Sequence, residues 1–242
     1  LYRHGEFKIP RQFWKLYVLR SVLFFIGVFS WLSVVDKLPL PQMYAIGFTA
    51  PVLASMISIV WLKEQFTGRK LVGLIGGFLG AMIVIRPGFS DMSLLNLVPL
   101  FCAFNWATAT VISKKLSFDQ SPYQMTFLLS ASFILFTSGL TVYQWVTPNF
   151  DQWLILLGLG VIIVITHTSL VKAYKLADLT KLAPLEFMNL VFATSFGWFM
   201  FNELIDTWTL IGGIIIFCSA MITTLSKRRH KGVEDLKWVP ER

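Results

Sequence analysis

LPLPQMYAIGFTAPVLASMISIVWLKEQFTGRKLVGLIGGFLGAMIVIR, residues 38–86, returns 139 positions later as ADLTKLAPLEFMNLVFATSFGWFMFNELIDTWTLIGGIIIFCSAMITTL, residues 177–225. Aligned without a gap, 12 of the 49 positions are identical, among them Leu40, Phe48, Val52, Ala54, Glu64, Leu71 and Gly73. The layout repeats as well. In each copy an apolar run closes on a glutamate (Glu64, Glu203), a polar turn follows, and a glycine (Gly73, Gly212) opens a second apolar run. Each block therefore reads as a helical hairpin, and the period is too long for a solenoid, so the repeat is half of a molecule.

The solvent around these hairpins is lipid. Of the 242 residues 55% are hydrophobic and 14% charged, with a mean hydropathy of +0.67, a composition that a water-soluble domain of this size does not keep in solution. A span needs about 20 mostly apolar residues to cross about 30 Å of hydrocarbon. Eight stretches fit or nearly fit: 16–35, 42–62, 71–85, 93–113, 124–146, 153–172, 182–202 and 207–226. They are continuous runs, not the short alternating segments of a membrane barrel. The third is short, so Lys70 and Arg86 are expected to snorkel to the interfaces, or the helix to extend back toward Thr67. Cys102 and Cys218 lie inside apolar runs and read as packing residues.

Lysine and arginine in short loops set the orientation. Placing residues 1–15, the turns at 63–70, 114–123 and 172–181, and the tail on the cytoplasmic side gives eighteen positive residues there, against Lys37 and Arg86 opposite. Both ends are then cytoplasmic, in a multi-pass protein of the cell (inner) membrane. The basic residues sit in loops and at the ends, not on one folded face, which excludes nucleic acid as a partner despite the net charge of +8. A cysteine placed at Asp36, Asp91 or Asp151 is expected to react with an impermeant thiol reagent from outside the cell, and one at Gln65 or Asp119 is not. Reversed labelling would invert the orientation.

The repeated hairpins begin five spans apart, so the two copies cross the membrane in opposite directions, the inverted arrangement common in secondary transporters. The fourth and fifth spans, moved back by 139, fall before Leu1. Two helices, roughly 50 residues, are thus expected to be missing from the first half, with residues 1–86 a three-span repeat, 93–226 a five-span repeat and 227–242 a cytoplasmic tail.

Residues 38–41 through Phe48-Thr-Ala-Pro51, then Leu62-Lys-Glu64, Gly73 and Arg86-Pro-Gly88, resemble the end of the first repeat of the EamA-type drug/metabolite transporters. Ala173-Tyr174, Ala183-Pro-Leu-Glu186, Asn189 to Ala193, Phe201-Asn-Glu203 and Gly212 resemble the second. Within that superfamily the chain resembles the branch with S-adenosylmethionine uptake carriers. The resemblance implies an all-α polytopic bundle of two inverted five-helix repeats and a carrier activity. The first two helices, which in the family help to line the cavity, have no counterpart here, and Leu190 stands where the first copy has Pro51.

Glu186 is the only carboxylate well inside an expected span, and an ionisable group there costs about 2.5–3.5 kcal/mol, which marks it as a functional candidate. Arg20 lies at equal expected depth, roughly 7 Å in, and is its expected partner. Glu186, Asn189 and Ala193 share one helix face, and Tyr44, Phe48, Pro51 and Ser55 share another; these are the expected cavity walls. Pro51 leaves the Gly47 carbonyl without its helix bond and is expected to bend the span. Asn105 with Trp106, Thr108 and Thr110, and His167 with Thr166 and Thr168, place further polar groups in the fourth and sixth spans, as substrate contacts or as interhelical hydrogen bonds. The third span's Gly73/Gly77 and Gly76/Gly80 pairs suit close helix packing.

The expected function is a secondary transporter moving a small organic metabolite by alternating access. Its partners are the lipid bilayer and a small-molecule substrate, with a homodimer left open, and no cofactor or metal is called for. A P-loop is absent. The second reading is a non-transporting or truncated membrane protein of the same fold. An intramembrane enzyme would need a nucleophile, an acid–base pair or a metal cluster, and the chain offers His167 alone among its histidines inside a span, without a second buried carboxylate.

Overall fold

The computed structural model describes residues 11–38, 40–65, 67–86, 94–143, 145–201 and 207–224. The tail at 227–242 and the expected features at Asp91, Gly88, Asn202 and Glu203 lie outside the described residues. What is described is all helical: α1 (Arg11–Leu32), α2 (Leu40–Gly47), α3 (Thr49–Trp61), α4 (Gly68–Ile85), α5 (Leu97–Ser117), α6 (Pro122–Tyr143), α7 (Phe150–Leu176), α8 (Leu179–Glu186), α9 (Met188–Phe201) and α10 (Thr207–Thr224). Among the described residues five helical stretches are long and apolar enough to cross a membrane: Arg11–Leu32, Met43–Trp61 (α2 and α3 taken through Phe48), Gly68–Ile85, Leu94–Ser117 and Phe150–Leu176. The helices α1, α2, α3 and α4 start at residues 11, 40, 49 and 68, and α7, α8, α9 and α10 each start 139 positions after one of them.

The second and seventh expected spans are not continuous. Each breaks at a phenylalanine, Phe48 (φ −68°, ψ −1°) between α2 and α3 and Phe187 (φ −68°, ψ −19°) between α8 and α9. Different prolines accompany the two breaks. Pro51 is the third residue of α3, in the first turn, where a missing N–H leaves no intrahelical bond unmade. Pro184 lies inside α8, three residues before its break, and cannot bond the Thr180 carbonyl. The absence of a proline at Leu190 therefore does not make the seventh span straight.

The third span is longer than its apolar run. α4 starts at Gly68, and its 18 residues reach about 27 Å. Lys70 does not snorkel to an interface; it is buried and bonded, for reasons given below. Arg86 takes a left-handed φ of 44° at the C-cap of α4 and lies over the Trp208 ring.

α4 packs on α10 through small residues. A Cβ on Gly80 would lie 2.9 Å from the Gly212 carbonyl oxygen, and one on Gly212 would lie 2.8 Å from the Gly80 carbonyl oxygen, so backbone rests on backbone at this crossing. Gly73 meets Ser219 and Thr223, Gly76 meets Ser219, and Gly77 meets Phe187, so both small-residue faces of α4 are used. α1 runs along α5, and α3 lies between α5 and α8. One buried cluster joins Tyr17, Ile112, Leu116, Met125 and Val171, a second Ala54, Val111, Tyr174 and Leu179, and a third Leu74, Ala183, Phe187 and Ile216. α7 begins with a capping box in which the Asn149 and Gln152 side chains each accept the other's backbone N–H. Cys102 is buried as expected of a packing residue, whereas Cys218 is exposed on α10.

Candidate functional site

The two helix breaks meet. The rings of Phe48 and Phe187 lie 5.6 Å apart, and beside them opens a cavity of about 330 Å³, in the range that holds a small organic ligand. Glu186, the last residue of α8, reaches it from one side, with Asn189 one turn on in α9. Gly47, Phe48 and Pro51 line it from the other break. Trp31 of α1, with Tyr44 at 5.5 Å and Trp106 of α5 at 5.3 Å, forms an aromatic wall. The wall depends on glycine: a Cβ on Gly27 would lie 2.6 Å from Trp106 Nε1, and one on Gly47 would lie 3.3 Å from the Trp31 ring. Tyr44 and Asn189 are exposed at the rim.

Six of the ten expected site residues thus line one cavity: Tyr44, Phe48, Pro51, Trp106, Glu186 and Asn189. The other four are elsewhere. Ser55 is buried and donates to the Pro51 carbonyl one turn back, and Asn105 Nδ2 donates to the Phe101 carbonyl. His167 packs edge-on against Phe24 at 6.0 Å. Arg20, 1% exposed, donates from Nε to Ser113 Oγ (2.6 Å) and from Nη1 to the Met125 carbonyl (3.1 Å), with its guanidinium over the Phe24 ring. It makes no ion pair with Glu186. Equal depth in the bilayer fixes only one coordinate, and Arg20 faces α5 and α6 while Glu186 faces the cavity.

The Glu186 carboxylate has no hydrogen-bond or ion-pair partner among the described residues. α8 starts at Leu179, so Glu186 stands about 10 Å along the helix from its first residue. With no cationic side chain paired to it among the described residues, the carboxylate favours a cation in the cavity. Trp31, which also lines it, was not legible as a cavity residue, whereas Thr110 lines it as one of the polar groups expected in the fourth span. A tryptophan inside an apolar run carries no mark of which way it faces. Thr108 bonds its own helix at the Phe104 carbonyl, while Thr168 donates across to Thr126 at 3.2 Å.

A second polar cluster lies at the other end of α8. Glu64, in the turn after α3, accepts the backbone N–H groups of Leu179 (Oε1, 2.9 Å) and Thr180 (Oε2, 3.1 Å), and also the Ser58 hydroxyl (3.1 Å). It therefore caps α8 in place of Asp178, whose own side chain makes no cap bond. Lys114 of α5 stands 3.8 Å from Glu64 Oε1 and donates to the Ala177 carbonyl, both side chains being about 95% buried. Lys70 Nζ bridges Asp178 Oδ2 (2.8 Å) and the Gln65 carbonyl (2.7 Å), which is why it does not reach for headgroups. Lys63 takes a φ of 54°, left-handed for a residue with a Cβ, and so turns the chain sharply just before Glu64.

Known proteins bear on this arrangement in three ways. Residues 1–86 and 94–225 match the EamA-like transporter family. The chain is 32% identical over 223 residues to a riboflavin transporter of Vibrio cholerae, covering 90% of this chain and 75% of that protein. It is 26% identical to an S-adenosylmethionine uptake transporter of Rickettsia bellii (94% and 78% covered) and 24% identical to the pseudopaline exporter CntI of Pseudomonas aeruginosa (94% and 81%). A solved crystal structure superposes with a TM-score of 0.79 at 18% identity, covering 92% of this chain and 81% of its own, a likeness of fold. With a family match over most of its length and apolar helices able to cross a bilayer, the chain belongs to the EamA-like transporter family and is a multi-pass membrane protein.

Proposed function

We propose that this chain is a secondary carrier that moves a small organic metabolite by alternating access, with the Glu186 cavity as its substrate site. The observation that carries the proposal is a carboxylate without a protein partner, set among aromatic rings where two broken helices meet. Broken helices at the bilayer midplane are how secondary transporters offer backbone and side-chain groups to a substrate. The 139-residue offset supports reading 1–86 and 93–226 as inverted repeats, the framework that alternation requires. The charge asymmetry of the loops supports cytoplasmic ends in the inner membrane.

The chemistry of the cavity favours a substrate with a flat ring and a positive group. Trp31, Tyr44 and Trp106 offer faces for stacking, and cation–π attraction adds about 0.5–2 kcal/mol to what Glu186 supplies. Of the names of two relatives, S-adenosylmethionine carries both a fused heteroaromatic ring and a positive sulfonium, and riboflavin carries the ring without the charge. A melting screen of the purified chain tests the reading. A ligand at a hundred times its Kd stabilises the folded state by about 2.7 kcal/mol. Ring-bearing amines and sulfonium compounds are expected to raise the melting temperature and to exchange across proteoliposomes, and ring-bearing carboxylates are not. A panel in which only anions stabilise the protein would overturn the assignment of Glu186.

A further inference from the structure

The ends of α8 do different things: Glu186 at one end faces the cavity, while the first two N–H groups at the other are held by Glu64. We propose that Glu64, with Lys114, Lys70 and Asp178, is the latch that keeps this end of the pathway shut, and that α8 is the lever joining latch to substrate. The proposal rests on the carrier reading above.

Three features support it. The latch ties together segments that are distant in the chain: the turn after α3, the end of α5, the start of α4 and the α7–α8 joint. Its inner pair is dry, with Glu64 and Lys114 side chains each 5% exposed, so those bonds hold with little competition from water, while Asp178, 49% exposed, holds Lys70 at the wet edge, where bonds exchange for hydrated partners when the end opens. It is also lopsided. Shifted by 139 positions, Glu64 maps onto Glu203 and Leu179 onto Leu40, but Asp178 maps onto Pro39, Lys70 onto Thr209 and Thr180 onto Pro41, which has no N–H to give. At the mapped positions the sequence keeps the glutamate and not the lysine, the aspartate or the second backbone donor. The resting carrier is closed at the Glu64 end.

α8 is eight residues long and joins α9 through the single turn residue Phe187, so a substrate that draws Glu186 toward itself pulls on Leu179 and Thr180. Release of the Glu64 carboxylate is then the opening step at this end.

Labelling of a pocket cysteine from each face tests the latch without any substrate. Thr110→Cys lines the cavity, and it is placed in a chain with Cys102→Ala and Cys218→Ala. A charged methanethiosulfonate is applied to right-side-out and inside-out vesicles. In the parent, one face is expected to label and the Glu64 face to be slow. Glu64→Ala is expected to raise labelling from the Glu64 face at least tenfold, and Lys70→Gln, which leaves the Glu64 bonds in place, to raise it less. Where Glu64→Ala does not yield folded protein, Lys70→Gln and Asp178→Asn decide. One-sided labelling in the parent with no change in folded variants overturns the latch and spares the carrier. Equal labelling from both faces of the parent overturns alternating access itself, and the latch with it.

Discussion

Glu186→Gln is expected to abolish saturable uptake of a cationic substrate while leaving the protein as stable as the parent or more so. The two halves of this expectation share one cause. A carboxylate in a span with no protein partner carries most of its insertion cost, about 2.5–3.5 kcal/mol, as an unreturned expense in the empty carrier. Replacing it by an amide of the same shape lifts part of that cost. With substrate bound, the same carboxylate faces a desolvated cation, and truncating one member of such a pair costs about 2–5 kcal/mol, roughly 30-fold to several thousand-fold in affinity. Melting temperature and counterflow, measured on one preparation, read both. Normal uptake by the glutamine variant would make Glu186 a bystander, and a collapse of stability would make it structural.

The larger expected effect on folding lies at the α4–α10 crossing. Gly212→Leu is expected to destabilise the protein by about 3 kcal/mol or more, because the new side chain meets the Gly80 carbonyl oxygen and the Val84 backbone nitrogen, which cannot turn aside as a side-chain tip can. Its neighbour is the control. A Cβ on Gly213 meets nothing within 4 Å, so Gly213→Ala is expected to be neutral or to stabilise by up to about 1 kcal/mol through helix propensity. Denaturation of the two variants in the same detergent separates close packing from a general dislike of side chains on α10. Equal loss in both would remove the crossing as the cause.

Much of this was legible in the sequence because a membrane helix must satisfy its own backbone, so that apolar length alone fixes where helices run. Lipid imposes no such rule on rotation about the helix axis. Arg20 lies in α1, which is long and apolar enough to cross a membrane, and Glu186 ends the eight-residue α8; the expected pairing of the two fails because α1 turns Arg20 toward Ser113 and Met125. Tyr44, Phe48, Pro51, Glu186 and Asn189, placed on two helix faces by their spacing, line one cavity. Ser55 continues the same stripe but is turned into its own helix, past the end of the cavity. The break at Phe187 was hidden because the proline that accompanies it precedes the break in one copy and follows it in the other. The Glu64 cluster left one trace, a glutamate closing the apolar run in both copies. What it binds was out of reach, since its partners are backbone N–H groups 115 and 116 residues away.

With the pathway shut at the Glu64 end as proposed, the buried Glu64–Lys114 pair would bar water there while the cavity at the other end of α8 keeps an exposed rim, and the membrane voltage would not be spread evenly along the protein. A field falls where water is excluded, so a larger share of the drop would lie across the segment held by Glu64 and Lys114. A monovalent cation passing that point does electrical work of about 2.3 kcal/mol for each 100 mV. That much work corresponds to roughly a 50-fold concentration ratio at equilibrium. The sign of the cell's voltage would then decide which direction of transport runs downhill for a cation, with no second ion required.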